Sequence, residues 1–217
     1  KSVGFCLTQA FIFDFDGTLV DSEQAIYQCF QSITKSLAPD RISYAKNILI
    51  GPPLRDTASE ILGPKHQGSL DEFVQLFIAM HDEQVIQHTN PYPDVVNILQ
   101  KLHANNIPMA LATNKRLAPT QKLIDHFGWN DYFSSIECSD NQSQMRNKDA
   151  MIQDIINQNT SFYGSYFIGD TVNDGLSANL NQLPFVKACY GYGRDQDWSR
   201  VIIHQEIHQF SEILKLI

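Results

Sequence analysis

The sequence predicts a doubly wound α/β fold, a parallel sheet with helices on both faces and a helical insertion after its first strand. Three observations lead there. Short apolar runs at residues 11–13, 107–112, 166–168 and 185–190 alternate with longer segments of helical spacing. Three of those runs end in polar residues suited to chemistry: Asp14 and Asp16, Thr113 and Asn114, Asp170 and Asp174. Between the first two runs, residues 22–88 show helical spacing with no strand pattern.

Phe11, Ile12 and Phe13 have the continuous apolarity of a strand buried on both faces of a parallel sheet. They lead into Asp14-x-Asp16-Gly17-Thr18. Carboxylates make poor core, and the carboxyl edge of such a sheet is where ligands bind. One carboxylate can act as nucleophile while its neighbour handles protons. An acidic turn helped by Gly17 is the plainer reading of the same residues. Ser22 can cap a helix whose apolar face is Ala25, Ile26, Cys29, Phe30, Ile33 and Leu37, ending near Pro39. Residues 40–50 read as a second helix, stopped by Gly51-Pro52-Pro53, and 54–62 as a third, stopped by Gly63-Pro64. Residues 69–88 form a fourth, with Ser69 as N-cap and Phe73, Leu76, Phe77 and Met80 on its apolar face. The insertion spans residues 21–89 and divides a core made of residues 1–20 and 90–217.

From Tyr92 the alternation resumes. Residues 94–104 are helical and 107–112 a strand. A helix beginning at 115 or 117 runs to 127 and is closed by Gly128. A short strand near 133–137 precedes a polar loop at 139–146 and a helix at 147–157 that contains Lys148. The strand at 166–168 ends in Gly169-Asp170-Thr171-Val172-Asn173-Asp174, with helical residues 176–180 after it. A strand at 185–190, a small strand near 201–203 and a C-terminal helix complete the chain. Right-handed crossovers between such strands give a parallel, Rossmann-like core.

Composition narrows the function. The net charge is -8 and the pI about 5.2, which opposes nucleic-acid binding. No apolar run approaches a membrane span, and residues 1–10 lack the pattern of a signal peptide. Cys6, Cys29, Cys138 and Cys189 are scattered without a C-x-x-C pair, as expected of reduced thiols in a cytoplasmic protein. The expected partner is a small molecule rather than a nucleic acid or a membrane. The chain is expected as a monomer or homodimer.

In a parallel sheet the three polar strand ends lie on one edge, so Asp14, Asp16, Thr113, Asn114, Asp170 and Asp174 meet there. Carboxylates without His or Cys form a hard-oxygen site suited to Mg²⁺. Such a cluster repels a phosphate unless cations compensate, and Mg²⁺ and Lys148 are the candidates. Thr113, Asn114 and backbone N–H groups after Asp14 can hold phosphate oxygens. Alternative readings stay open: Asp170 and Asp174 as a helix cap, Thr113-Asn114 as a turn, and Lys148 as a surface lysine. His204 and His208 stand four apart, without the H-E-x-x-H order of a zinc site.

Taken together, Asp14-x-Asp16-Gly17-Thr18, Thr113, Lys148 and Gly169-Asp170-Thr171-x-x-Asp174 resemble the four motifs of the haloacid dehalogenase superfamily. The resemblance runs along the whole chain, and the insertion resembles that superfamily's α-helical cap domain. Gly51-Pro52-Pro53-Leu54, Thr113-Asn114-Lys115 and Gly191-Tyr192-Gly193 are similar to its phosphoglycolate phosphatase branch. Asp149 stands where relatives often carry Pro. The resemblance implies that Asp14 is a nucleophile forming an aspartyl-phosphate and Asp16 the general acid and base. It implies Mg²⁺ held by Asp14, the Asp16 carbonyl, Asp170 and Asp174. Thr113 would bind the phosphoryl group and Lys148 would orient Asp14. Gly17, Thr18, Asn114 and Arg55 join Thr113 as expected substrate-binding residues, and Arg55 or Arg194 could reach a substrate carboxylate.

The favoured activity is hydrolysis of a small phosphomonoester, 2-phosphoglycolate first. The cap is expected to open and close on hinges at 17–21 and 88–93, excluding water. Competing readings are a pyrophosphatase or nucleotidase, a sugar-phosphate mutase, a phosphonatase, a dehalogenase and a non-catalytic binding protein. A dehalogenase has no use for the proton of Asp16. A phosphonatase needs an amine in the cap, where Lys35, Lys46 and Lys65 stand.

Overall fold

A computed structural model describes residues 9–141 and 146–217. Cys6 and residues 142–145 of the expected polar loop lie outside the described residues. The strands are β1 (Phe11–Phe13), β2 (Val20–Asp21), β3 (Asn90–Pro91), β4 (Met109–Thr113), β5 (Ser135–Cys138), β6 (Tyr166–Gly169), β7 (Phe185–Ala188) and β8 (Gln205–Ile207). Six of them form one sheet in the order β5-β4-β1-β6-β7-β8, and every neighbouring pair in it is parallel. β1 is central, with Phe13 in register with Leu111 on one side and Ile168 on the other.

The period of two along each strand divides the core. Phe11, Phe13, Met109, Leu111, Ile168 and Val186 face one side. There they pack with α5 (Val95–Ala104), α6 (Leu117–Phe127) and the C-terminal segment. Ala10, Ile12, Ala110, Ala112, Phe167 and Phe185 face the other, against α7 (Lys148–Gln158) and α8 (Val172–Leu180). Phe11 and Phe13 are fully inaccessible, and burying each contributes about 1.5–3 kcal/mol.

The inserted helices are α1 (Glu23–Leu37), α2 (Ile42–Ala45), α3 (Leu54–Leu62) and α4 (Leu70–Gln84). They close around their own cluster, with Phe30, Ile33, Ile61, Leu62, Phe73 and Phe77 at its centre. The two chain segments that enter and leave the insertion pair with each other. Val20 and Asp21 form an antiparallel ladder with Pro91 and Asn90, and the Tyr92 N–H donates to the Leu19 carbonyl at 3.0 Å.

Three expectations need correction. The helix expected at 40–50 ends at Ala45. Beyond it Ile48 and Ile50 turn into the cap core, and the Ile48 carbonyl accepts from the Tyr27 hydroxyl rather than from a helical N–H. The last strand is 205–207, not 201–203. Asn179 explains the shift: its side chain bonds both the N–H and the carbonyl of Ile202, holding that segment outside the sheet. The C-terminal helix is a 3₁₀ segment, Phe210–Leu216, whose Phe210, Ile213 and Leu216 recur every three residues on the buried side.

Candidate active site

At the carboxyl end of β1 the chain turns sharply, and the N–H groups of Thr18, Leu19 and Val20 all point to the Phe15 carbonyl. Gly17 makes this turn with φ of +80°, and a Cβ there would overlap the Asp170 carboxylate. Glycine is thus required twice, for conformation and for space. The turn leaves Asp14 facing β6 and α8, where Asp14, Asp170 and Asp174 bring carboxylate oxygens within 4.8 Å of one another, all buried.

Lys148, 2% exposed, enters this cluster from the first turn of α7. Its Nζ lies 2.8 Å from Asp14 Oδ2 and also donates to Asp174 Oδ1. Burial alone would lower its pKa, but Asp14 and Asp174 outweigh it and hold the ammonium above its usual range. Asp174 is at once a helix cap and a member of the cluster. Its Oδ2 accepts from the N–H groups of Asp170 and Thr171 and from the Thr171 hydroxyl, closing the capping box of α8. One oxygen of Asp174 thus caps α8 while the other faces Lys148.

Asp170 is fixed by the Thr18 hydroxyl at 3.0 Å and the Tyr192 N–H at 2.7 Å. The Gly191-Tyr192-Gly193 turn lies directly on it: a Cβ at Gly191 would meet the Asp170 side chain, and one at Gly193 its carbonyl. Asp16 points away from the three acids. Its carboxylate accepts from Lys115 Nζ at 3.0 and 3.1 Å and from the Ser22 hydroxyl at 2.6 Å.

Three carboxylates face one ammonium here. Burial, opposed by Lys148 and reinforced by Asp174, pushes Asp14 up to about 7. Burial with Asp174 and Asp14 beside it raises Asp170 well above the carboxylate range. All-oxygen donors, buried and short of positive charge, fit a hard divalent cation such as Mg²⁺.

Between this edge and the cap lies a cavity of about 90 Å³, lined by Asp14, Asp16, Thr113, Asn114 and Lys115 from the core. Ile26, Phe30, Ile50, Leu54, Phe77 and His81 line it from the cap. Thr113 and Asn114 thus stand where the sequence expects, and the Asn114 amide also donates to the Gly51 carbonyl of the cap at 2.9 Å. Gly17 and Thr18 lie behind the acids rather than in the wall. Arg55 is outside it, on the cap exterior, where it pairs with Asp71 at 2.7 Å and both side chains are exposed. Arg194 is exposed as well.

Sequence reasoning gave no catalytic or binding role to Lys115 or His81, and it read Ser22 as a helix N-cap, a position it holds without a side-chain cap bond while its hydroxyl donates to Asp16. Lys115 carried a signal, since it follows the strand-ending Thr113-Asn114. The placement of Ser22 against Asp16 and of His81 in the cavity wall depends on tertiary contacts. His204 packs on Tyr166 with ring centroids 5.4 Å apart. His208 instead lies with Cys189 and Glu206, beside the edge strand β8.

Residues 11–188 match the family model described as haloacid dehalogenase-like hydrolase. A phosphoglycolate phosphatase of Psychrobacter arcticus is 27% identical over 95% of this chain and 94% of its own. Another, of Rhodobacter capsulatus, is 28% identical over 86% of each chain. The solved structure of a haloacid dehalogenase-like family protein from Streptococcus pneumoniae superposes with a TM-score of 0.80 at 22% identity. That superposition covers 97% of this chain and 98% of that one.

Proposed function

This chain belongs to the haloacid dehalogenase-like hydrolases, and from that premise we propose that it is a Mg²⁺-dependent phosphatase of small phosphomonoesters working through an aspartyl-phosphate. The observation that carries the reading is Asp14, gripped by Lys148 at the mouth of the cavity, with Asp170 and Asp174 beside it. The curated relatives make 2-phosphoglycolate the first substrate to test.

Asp14, the Asp16 carbonyl, Asp170 and Asp174 would hold the metal. When bound, Mg²⁺ supplies the positive charge that keeps buried carboxylates ionised beside an incoming phosphate dianion. Thr113 and Asn114 donate to the phosphoryl oxygens, with the charge of Lys148 close by. A carboxylate oxygen of Asp14 attacks phosphorus while the bond to the leaving oxygen breaks, and Asp16 gives that oxygen its proton. Asp16 then takes a proton from water, whose oxygen attacks phosphorus and releases phosphate from Asp14. Lys115 and Ser22 hold the Asp16 carboxylate in one orientation for both steps.

We also propose the division into a core of residues 1–20 and 90–217 and a cap of 21–89, joined by the β2–β3 ladder as hinge. The separate apolar cluster of the cap supports it. Among the described residues no helix is long and apolar enough to cross a membrane. Cys29, Cys138 and Cys189 are free, in keeping with the cytoplasmic reading.

The test is phosphate release from a panel of phosphomonoesters, 2-phosphoglycolate included, with Mg²⁺ or a chelator, beside Asp14→Asn. Release that requires Mg²⁺ and is lost in the variant supports the reading. Chelator-insensitive release, or near-normal turnover by Asp14→Asn, overturns it.

A further inference from the structure

A second set of metal-ligating side chains lies away from the three acids, where the edge strand β8 ends. Cys189, Glu206 and His208 bring a thiol sulfur, a carboxylate oxygen and an imidazole nitrogen within 4.8 Å of one another. The backbone builds this arrangement. β7 and β8 are parallel, with Lys187 in register with Glu206 and Ala188 with Ile207. Ala188 and Ile207 turn into the core, so the period of two returns Cys189 and His208 to the face that carries Glu206. The Cys189 N–H donates to the Ile207 carbonyl at 2.8 Å, which carries the ladder one step past both strands. The His208 N–H donates to Glu212 Oε2 at 2.7 Å, fixing the backbone there. The histidines four apart are therefore not the pair that matters. His204 packs on Tyr166, and the strand instead sets Glu206 and His208 two apart on one face.

Cys189 is a free, partly buried thiol, and Glu206 and His208 are exposed. Sulfur, nitrogen and oxygen together suit Zn²⁺, whereas Mg²⁺ takes oxygen ligands. Zinc bond lengths set such donors about 3.4–3.6 Å apart in a tetrahedral site. The exposed side chains of Glu206 and His208 can rotate to reach that spacing while the two strands hold their backbones. Three protein ligands leave the fourth position for water. The surrounding charges permit a cation. Lys187 lies 2.9 Å from Glu206 and Lys215 2.9 Å from Glu212, so two ammonium groups offset two carboxylates. The thiolate that Cys189 becomes on binding then adds a negative charge. Lys187 also lies over the Trp198 ring, 4.6 Å from its centroid, a contact it keeps when the cation takes Glu206.

We infer that Cys189, Glu206 and His208 form a binding site for a borderline-soft divalent cation, Zn²⁺, separate from the all-oxygen cluster of Asp14, Asp170 and Asp174. The Cys189 thiol gives up its proton to solvent, and its sulfur, the Glu206 carboxylate and the His208 imidazole bind the ion. Because these ligands come from the ends of two neighbouring strands, the ion clamps β8, only three residues long, to β7. Binding to the folded chain alone raises its stability. The inference stands apart from the phosphatase reading, since none of the three residues belongs to the site at the carboxyl end of β1.

The probe is Zn²⁺ itself, titrated into the reduced full chain against a chromophoric chelator, with Mg²⁺ in excess to occupy the acid cluster. The unmodified protein is compared with C189S and H208A. One equivalent of Zn²⁺ should bind in the presence of Mg²⁺. Each variant should weaken it by at least about tenfold, the smallest loss expected when even a partner of a metal ligand is removed. Co²⁺ in place of Zn²⁺ should give the charge-transfer absorption of a thiolate–cobalt bond, absent in C189S. Zn²⁺ should also raise the Tm of the unmodified protein more than that of H208A. His208 is exposed, so H208A carries the test even if C189S folds poorly. No zinc bound beside Mg²⁺, equal affinity in the unmodified protein and H208A, or a cobalt complex without the thiolate band would overturn the inference.

Discussion

Lys148 Nζ stands 2.8 Å from Asp14 Oδ2, both side chains buried, one from the first turn of α7 and the other from the end of the central strand. The pair joins residues far apart in sequence and is the point on which the site's charge balance turns. Lys148→Met removes the cation and leaves three acids facing one another without it. Breaking a buried ion pair from one side costs about 3–5 kcal/mol. Denaturant unfolding of the metal-free variant should show a loss of that size, and turnover should fall at least about a hundredfold.

The same cluster sets how metal-free stability depends on pH. The Asp14 carboxyl titrates near 7 in the folded chain against 3.8 for the free side chain, chiefly because it is buried. Between those values the folded state holds a proton that the unfolded state has lost. Its contribution is therefore fully present below about pH 4 and is lost as pH rises through 7. Asp170, raised for the same reason, adds to the trend. Thermal melts in chelator should give a Tm that falls from pH 5 to pH 8, and Mg²⁺ should restore it most at pH 8. A metal-free Tm that rises over that range would refute the charge assignment.

Gly17 and Gly128 both have positive φ, +80° and +70°, but only Gly17 lies against a carboxylate. Gly128→Ala meets nothing within 4 Å and should cost about 1 kcal/mol of backbone strain. Gly17→Ala adds a clash with Asp170 and should cost more, while weakening Mg²⁺ binding. Denaturant midpoints and metal titration of the two variants separate strain from collision.

Asn114 holds the cap down through the Gly51 carbonyl, 2.9 Å away. Asn114→Ala should raise KM several-fold, in proportion to one hydrogen bond, and speed hydrogen exchange around Gly51. Unchanged exchange there would mean that this bond does not hold the cap.

The central strand, its acids and the helical insertion are legible in the sequence, because short apolar runs and 3.6-residue periodicity are local signals. Asp14, Thr113, Lys148, Asp170 and Asp174 stand at element ends, so reading the elements locates them. What escaped depends on contacts remote in sequence. β2 and β3 are two residues each and exist only through each other. The apolar run at 201–203 reads as a strand until Asn179 ties Ile202 outside the sheet. Arg55 shares α3 with the residues that face the core, and only helix rotation puts its guanidinium outside. Cys189 and His208 become neighbours only once β7 and β8 lie in register.

The most direct test of the central claim is rapid-quench trapping of the phosphorylated protein during turnover, followed by mass spectrometry of its peptides. The account predicts one phosphoryl group on the peptide carrying Asp14, dependent on Mg²⁺ and absent in Asp14→Asn. Turnover at full rate with no phosphorylated peptide, or with the group on another residue, would contradict it.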